Sequence, residues 1–148
     1  MIPHDPTARA LALATRYARA RVRSAHEILA YLKRHRVSPR LCARILASCH
    51  TQGLVNDRAC ARLWAEEWAR RGWSWSAIRG KLQAKGLAEE ALEAAEEQLG
   101  GEAADTARAQ QLIEQHRGTP PDRARTARKL AARGFDVELI ERLLGSCA

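Results

Sequence analysis

One pattern of helix caps, apolar positions and breakers recurs three times along this chain, and it constrains the fold more than any single motif. Shifting the sequence by 50 residues brings Ser24, Ile28, Leu32, Val37, Leu41 and Ile45 onto Ser74, Ile78, Leu82, Leu87, Ala91 and Ala95. A further shift of 48 reaches Asp122, Thr126, Leu130, Phe135, Leu139 and Leu143. Breakers obey the same register, since Lys85-Gly86-Leu87 falls on Arg133-Gly134-Phe135. A fixed period of this length marks repeat architecture, in which each unit buries its apolar face against its neighbours. Such chains present extended surfaces to macromolecules and rarely enclose a catalytic pocket. The expected fold is therefore all-α, an elongated, curved array of three tandem three-helix repeats.

Local signals divide each repeat into helices. Thr7 can cap a first helix running to about Val22. Ser24-Ala25-His26-Glu27 has the form of a capping box, with the Ser hydroxyl and the Glu carboxylate each taking a backbone amide. Ser38 before Pro39 combines a cap with Pro at the first helical position, and Gly53 closes the unit. The second repeat starts from Asp57 and turns at Gly72. It restarts at Ser74 or Ser76, turns again at Gly86, and ends on an acidic helix from about Ala88 to Leu99. Gly100-Gly101 is the clearest joint. The third repeat uses Asp105, Gly118-Thr119-Pro120-Pro121, Asp122, Gly134, Asp136 and Gly145. Expected units are residues 7–53, 57–100 and 105–148.

Composition agrees with helices. The 148 residues are 46% hydrophobic, with few β-branched side chains and only 5% aromatics, four of them Trp. No apolar run approaches the length of a membrane span. The N-terminus lacks the layout of a signal peptide, so a cytoplasmic location is expected. Cys42, Cys49, Cys60 and Cys147 form no Cys-x-x-Cys pair; Cys42 and Cys49 share a helical face with Ile45, as small buried hydrophobes do. Cys49, His50 and Cys60 fit no zinc spacing, and no metal is expected.

Catalytic chemistry finds little support. The five His residues have no Ser, Cys or Asp partner at triad-like spacing. Neither a Gly-x-x-x-x-Gly-Lys loop nor a Gly-x-Gly-x-x-Gly fingerprint is present. Glu89, Glu90, Glu93, Glu96 and Glu97 read as a solvated helix face. No enzyme activity and no cofactor are expected.

Charge is more informative. The net formal charge is +8. Residues 1–56 hold ten basic against two acidic side chains, residues 57–100 seven against eight, and residues 101–148 eight against seven. The excess thus belongs to the first repeat, as suits a polyanion or an acidic groove. Helix dipoles favour cations near C-termini but do not account for so one-sided an excess. Arg19, Arg21 and Arg23 cluster toward the end of the first helix, and Arg34 and Arg36 toward the end of the second. Arg70 and Arg71 sit in the turn before Trp73, while Arg79, Lys81 and Lys85 lie on the middle helix of the second repeat. Arg125, Arg128, Lys129 and Arg133 occupy the same place in the third. Stacked repeats would align these residues into a basic stripe. Trp64 and Trp68, four apart on one helix, read as core. Trp73 and Trp75 read first as packing between successive helices, although rings beside guanidinium groups can also stack on splayed bases.

These residues carry a resemblance. Gly53-Leu54-Val55-Asn56-Asp57, Ala61-Arg62, Arg70-Arg71-Gly72, Ile78-Arg79, Leu82 and Lys85-Gly86-Leu87 resemble the central block of the RecX family. Arg23-Ser24-Ala25-His26-Glu27-Ile28 with Leu32 is similar to its first-repeat Ser-x-x-Glu-Leu motif. Leu130-Ala131-Ala132-Arg133-Gly134-Phe135 is similar to its third-repeat Leu-x-x-Arg-Gly-Phe motif. The three stand in register from about residue 8 to 145. Cys60 departs from the pattern where the family has an aromatic, the segment joining the second and third helices of repeat one is short, and little follows Gly145.

The resemblance implies a non-enzymatic regulator in DNA repair and the SOS response. Its members bind the RecA recombinase, notably the helical groove of the RecA–DNA filament. They oppose filament growth and so damp recombinase, ATPase and coprotease activities. The implied partners are RecA, its filament and, weakly, single-stranded DNA, with no membrane and a monomeric chain. The alternative from the residues themselves is a RecA-independent, sequence-nonspecific nucleic-acid-binding repeat protein.

Overall fold

The computed structural model describes residues 5–115 and 123–145. Among these, regular structure is entirely helical: α1 (Pro6–Ala20), α2 (Ala25–Arg34), α3 (Pro39–Thr51), α4 (Asp57–Arg70), α5 (Trp75–Ala84) and α6 (Glu89–Leu99) are followed by a 3-10 turn (Gly101–Ala104), α7 (Asp105–Gln115), α8 (Arg123–Ala132) and α9 (Val137–Leu144). None of these helices is long and apolar enough to cross a membrane.

Each consecutive trio has its own core. Ala10, Ala14, Ala18, Ile28, Leu32, Cys42, Ile45 and Cys49 close α1–α3. Ala61, Ala65, Trp75, Ile78, Leu82, Leu87, Ala91, Leu92 and Ala95 close α4–α6. Ala109, Leu112, Leu130, Phe135, Leu139 and Ile140 close α7–α9. The 50-residue register explains the match: Ile28 and Leu32 fall on Ile78 and Leu82, and Leu82 falls on Leu130, all fully buried. Complete burial of side chains this size stabilises by about 1.5–3 kcal/mol each before conformational entropy is counted.

Helix starts follow cap chemistry with local corrections. Ser24 accepts from the Glu27 amide while Glu27 accepts from the Ser24 amide, completing the capping box. Ser38 accepts from Leu41 N, and Ser74, not Ser76, accepts from Ala77 N. The first helix is capped by Asp5 through Thr7 N, and α1 stops at Ala20 instead of Val22. Asn56, not Asp57, caps α4 through Ala59 N. Asp136 is the N-cap of α9 without a side-chain cap bond. The expected features at Gly118–Asp122 and Cys147 lie outside the described residues.

Asp57 is released from capping for another task. Its carboxylate accepts from Ala25 N, at the start of α2 in the preceding repeat, at 2.8 Å. Asp105 does the same one repeat later, accepting from Trp75 N at the start of α5 at 2.9 Å. Both junctions thus use a carboxylate at the start of one repeat's first helix to satisfy an otherwise unpaired amide at a helix N-terminus. Turns complete the junctions. A side chain at Gly86 would meet the His26 ring at 2.6 Å, and one at Gly134 would meet Ser74 Oγ at 2.7 Å and Ala77 Cβ at 2.8 Å. Gly134 is therefore required by the approach of the neighbouring repeat as well as by its positive φ, while at Gly86 the neighbour is the ring of an exposed side chain.

Candidate partner-binding surface

The basic residues separate into three kinds once placed. Some are structural. Arg23 lies over the Tyr17 ring, 3.7 Å from its centroid, donates from Nε to Tyr17 O, and faces Glu27 at 3.5 Å. Its side chain is only 11% exposed. Arg133 donates to Arg71 O at 2.7 Å and sits 4.7 Å from the Trp73 centroid, fastening repeat three to repeat two.

Others are neutralised locally. Arg21 pairs with Glu27, Arg70 and Arg71 both pair with Glu67, and Arg79 pairs with Glu89. Hydrogen bonding and charge from Arg70, reinforced by Arg71, hold the Glu67 carboxyl below its usual range. These exposed pairs leave their surroundings close to neutral and contribute little stability.

A third group faces solvent. Arg19, Arg34, Arg36 and Arg128 are exposed. Arg36 is the one non-glycine residue with positive φ among the described residues, at 62°. Arg125 is exposed and Lys129 half-buried, each with a contact of its own on the third repeat. Lys81 and Lys85 lean over indoles: Lys81 Nζ is 4.1 Å from the Trp73 centroid and 5.7 Å from that of Trp68, and Lys85 Nζ is 5.4 Å from that of Trp64.

The aromatic partners were hidden within the charge pattern. Of the four Trp residues only Trp75 is fully in the core; Trp64, Trp68 and Trp73 are half-buried against its outside. Repeat one carries a related assembly, with Tyr17 and Tyr31 stacked 4.0 Å apart and His35 4.3 Å from Tyr31. The register holds a signal for this: Arg23 and Tyr31 of repeat one fall on Trp73 and Lys81 of repeat two, so cation and ring exchange places.

At the junction of repeats two and three lies a cleft of about 470 Å³ lined by Ser76, Glu102, Asp105, Thr106, Asp136, Glu138 and Arg142, among others. Its acidic lining is unsuited to a polyanion. No group of His, Cys, Asp and Glu suited to a metal ion occurs among the described residues. Cys42, Cys49 and Cys60 are buried free thiols.

Comparison with known proteins agrees with this architecture. Residues 56–95 match the family model described as RecX, second three-helix domain. That span starts at the Asn56 cap and covers α4, α5 and most of α6. Over this segment the chain is similar to RecX proteins. Its fold matches the crystal structure of RecX from Lactobacillus salivarius with a TM-score of 0.74 at 16% identity, covering 96% of both chains. It also matches a crystal structure of regulatory protein RecX with a TM-score of 0.74 at 22% identity, covering 95% of this chain and 71% of the other. No curated protein sequence matches.

Proposed function

We propose that this chain binds RecA and the RecA–DNA filament, through repeats spanning residues 7–53, 57–100 and 105–148, and opposes filament growth. Recombinase, ATPase and coprotease activities of RecA would fall as a consequence. The observation that carries this reading is the second RecX domain at residues 56–95 within a chain whose whole fold matches RecX. The charge distribution supports it, since exposed Arg19, Arg34 and Arg36 concentrate positive charge on repeat one. Such a surface complements an acidic protein groove or a phosphate backbone. Of the fourteen basic residues predicted to act, those engaged with Glu27, Glu67, Glu89 or Tyr17 contribute least, because binding through them requires breaking an existing contact.

The deciding measurement is RecA's DNA-dependent ATP hydrolysis with increasing amounts of this protein. Suppression at near-stoichiometric levels is the expected result, and no effect there overturns the proposal. Reversing charge together at Arg34, Arg36, Arg79 and Lys81 should weaken suppression while leaving helical content unchanged. Unchanged suppression would reduce those four positions to a solvated face.

A further inference from the structure

The two junctions between repeats share one plan but differ in what fills them. Asp57 and Asp105 hold the amides of Ala25 and Trp75 in the preceding repeat in the same way. Residues 48 apart in repeats two and three therefore take equivalent places. At the first junction the His26 ring lies against Gly86, and Arg58 pairs with Glu90 across the starts of α4 and α6. At the second, Ser76 stands for His26 and Thr106 for Arg58, while Gly134 and Glu138 repeat Gly86 and Glu90. Both planar groups are lost and the carboxylate is kept. Ser76, Thr106, Gly134 and Glu138 all line the cleft of about 470 Å³. Two further exchanges make it acidic, since Glu102 stands for Leu54 and Asp136 for Ala88. The one cation gained, Arg142 in place of Ala94, donates to Thr106 Oγ1 at 3.3 Å. Glu102, Asp136 and Glu138 form no ion pair among the described residues, and Asp136 makes no side-chain cap bond at α9.

From this contrast we infer that the cleft between repeats two and three is a docking site for a protein segment that presents an arginine side chain. The incoming guanidinium takes the place that Arg58 and His26 fill at the first junction, and Glu138 receives it as Glu90 receives Arg58. A planar fork meets a carboxylate through two parallel hydrogen bonds, whereas an ammonium is a compact, strongly hydrated point charge. Arginine is therefore preferred over lysine. The cleft has the volume of a ligand site and exceeds what a bare ion needs, and the described residues hold no group suited to a metal. Its charge is local. The chain as a whole carries +8, so a basic segment has no general attraction to it and is held only where carboxylates outnumber cations. The site uses none of the exposed arginines of repeat one and requires no recombinase, so it stands or falls separately from the RecA reading.

The test uses the full chain without RecA and a fluorescein-labelled tri-arginine peptide, with tri-lysine as its control, followed by anisotropy. The expected result is binding of tri-arginine, with tri-lysine weaker by about tenfold or more. Glu138→Gln should lower tri-arginine affinity about tenfold, the loss of one charged hydrogen-bonded partner. Glu97→Gln removes the same charge from an exposed position on α6 outside the cleft and should change nothing. Thr106→Arg rebuilds the first junction's pair by placing a guanidinium beside Glu138. It should abolish peptide binding at unchanged helical content, which separates a plugged cleft from an unfolded one. Absence of tri-arginine binding would overturn the proposal, as would equal binding of tri-lysine. An effect of Glu97→Gln as large as that of Glu138→Gln would reduce the attraction to diffuse charge and overturn it too. Sedimentation of the chain alone supplies the last arm: self-association that disappears in Thr106→Arg would give the cleft to a second copy and overturn the assignment to another protein.

Discussion

The α2–α3 turn and the α8–α9 turn are built from the same backbone and serve opposite purposes. Both close with an amide reaching back five residues, Val37 N to Leu32 O at 3.0 Å and Phe135 N to Leu130 O at 3.1 Å. Both place one residue in left-handed conformation, Arg36 at φ 62° and Gly134 at φ 89°. At Gly134 the preceding repeat lies against the turn, with Ser74 and Ala77 where a Cβ would be. Arg36 instead faces solvent with a long charged side chain. The backbone alone therefore does not demand glycine in this turn. Glycine is needed where another repeat docks, and Gly86 against His26 is an intermediate case.

The largest break in this series is expected at Gly134→Ala. The new methyl group combines a left-handed alanine with overlap against Ser74 Oγ and Ala77 Cβ, two short side chains held close to the backbone of α5. Ser74 is fully buried, and its amide donates to Arg133 O across the same junction. Neither neighbour can rotate away. Together strain and overpacking should cost about 3 kcal/mol, read from urea unfolding followed by circular dichroism. A loss below about 1 kcal/mol would mean that the junction slides apart freely, and that the contact at Gly134 is not what sets the glycine.

Gly86→Ala sharpens the contrast. The overlap is closer on paper, at 2.6 Å to the His26 ring, but that ring is an exposed end that can swing into water. The cost then reduces to the left-handed alanine, about 1–2 kcal/mol. The ordering is the informative result. If Gly86→Ala proves worse than Gly134→Ala, the His26 ring is a fixed part of its junction.

Much of this organisation could be read from the residues. Ile28, Leu32, Ile78, Leu82 and Leu130 fall in one register because a three-helix unit must bury the same face each time, so periodicity located the cores. Ser24 and Ser38 declared helix starts, and Ser74 or Ser76 a third, because a helix-terminal amide needs an acceptor. Partner choice was the part that remained hidden. Asp57 looked like a cap, yet Asn56 is one residue nearer the correct geometry and frees Asp57 to reach Ala25. Arg23 counted as surface charge because a sequence does not reveal that Tyr17 lies under it. Local chemistry is written in adjacent residues, whereas the allocation of one carboxylate or cation among several candidates is decided by packing between elements.

The smallest expected effect, at Arg36, has the opposite sign. Replacing Arg36 by Gly removes a left-handed L-residue, worth about 1–2 kcal/mol of strain, and returns part of that through the greater freedom of glycine in the unfolded chain. The net change should be a stabilisation of about 0.5–1 kcal/mol, seen as a rise in the urea midpoint at unchanged slope. Arg36 makes no ion pair among the described residues, so no native contact is lost in exchange. A strained, exposed cation kept where two sister repeats use glycine is best understood through what it binds. Arg36→Gly should therefore fold more stably and suppress RecA ATP hydrolysis less, whereas Gly86→Ala should do the first of these in reverse. Stability gained with suppression intact would leave the turn of repeat one merely untouched by any neighbour, and the difference between the two turns would then concern folding alone.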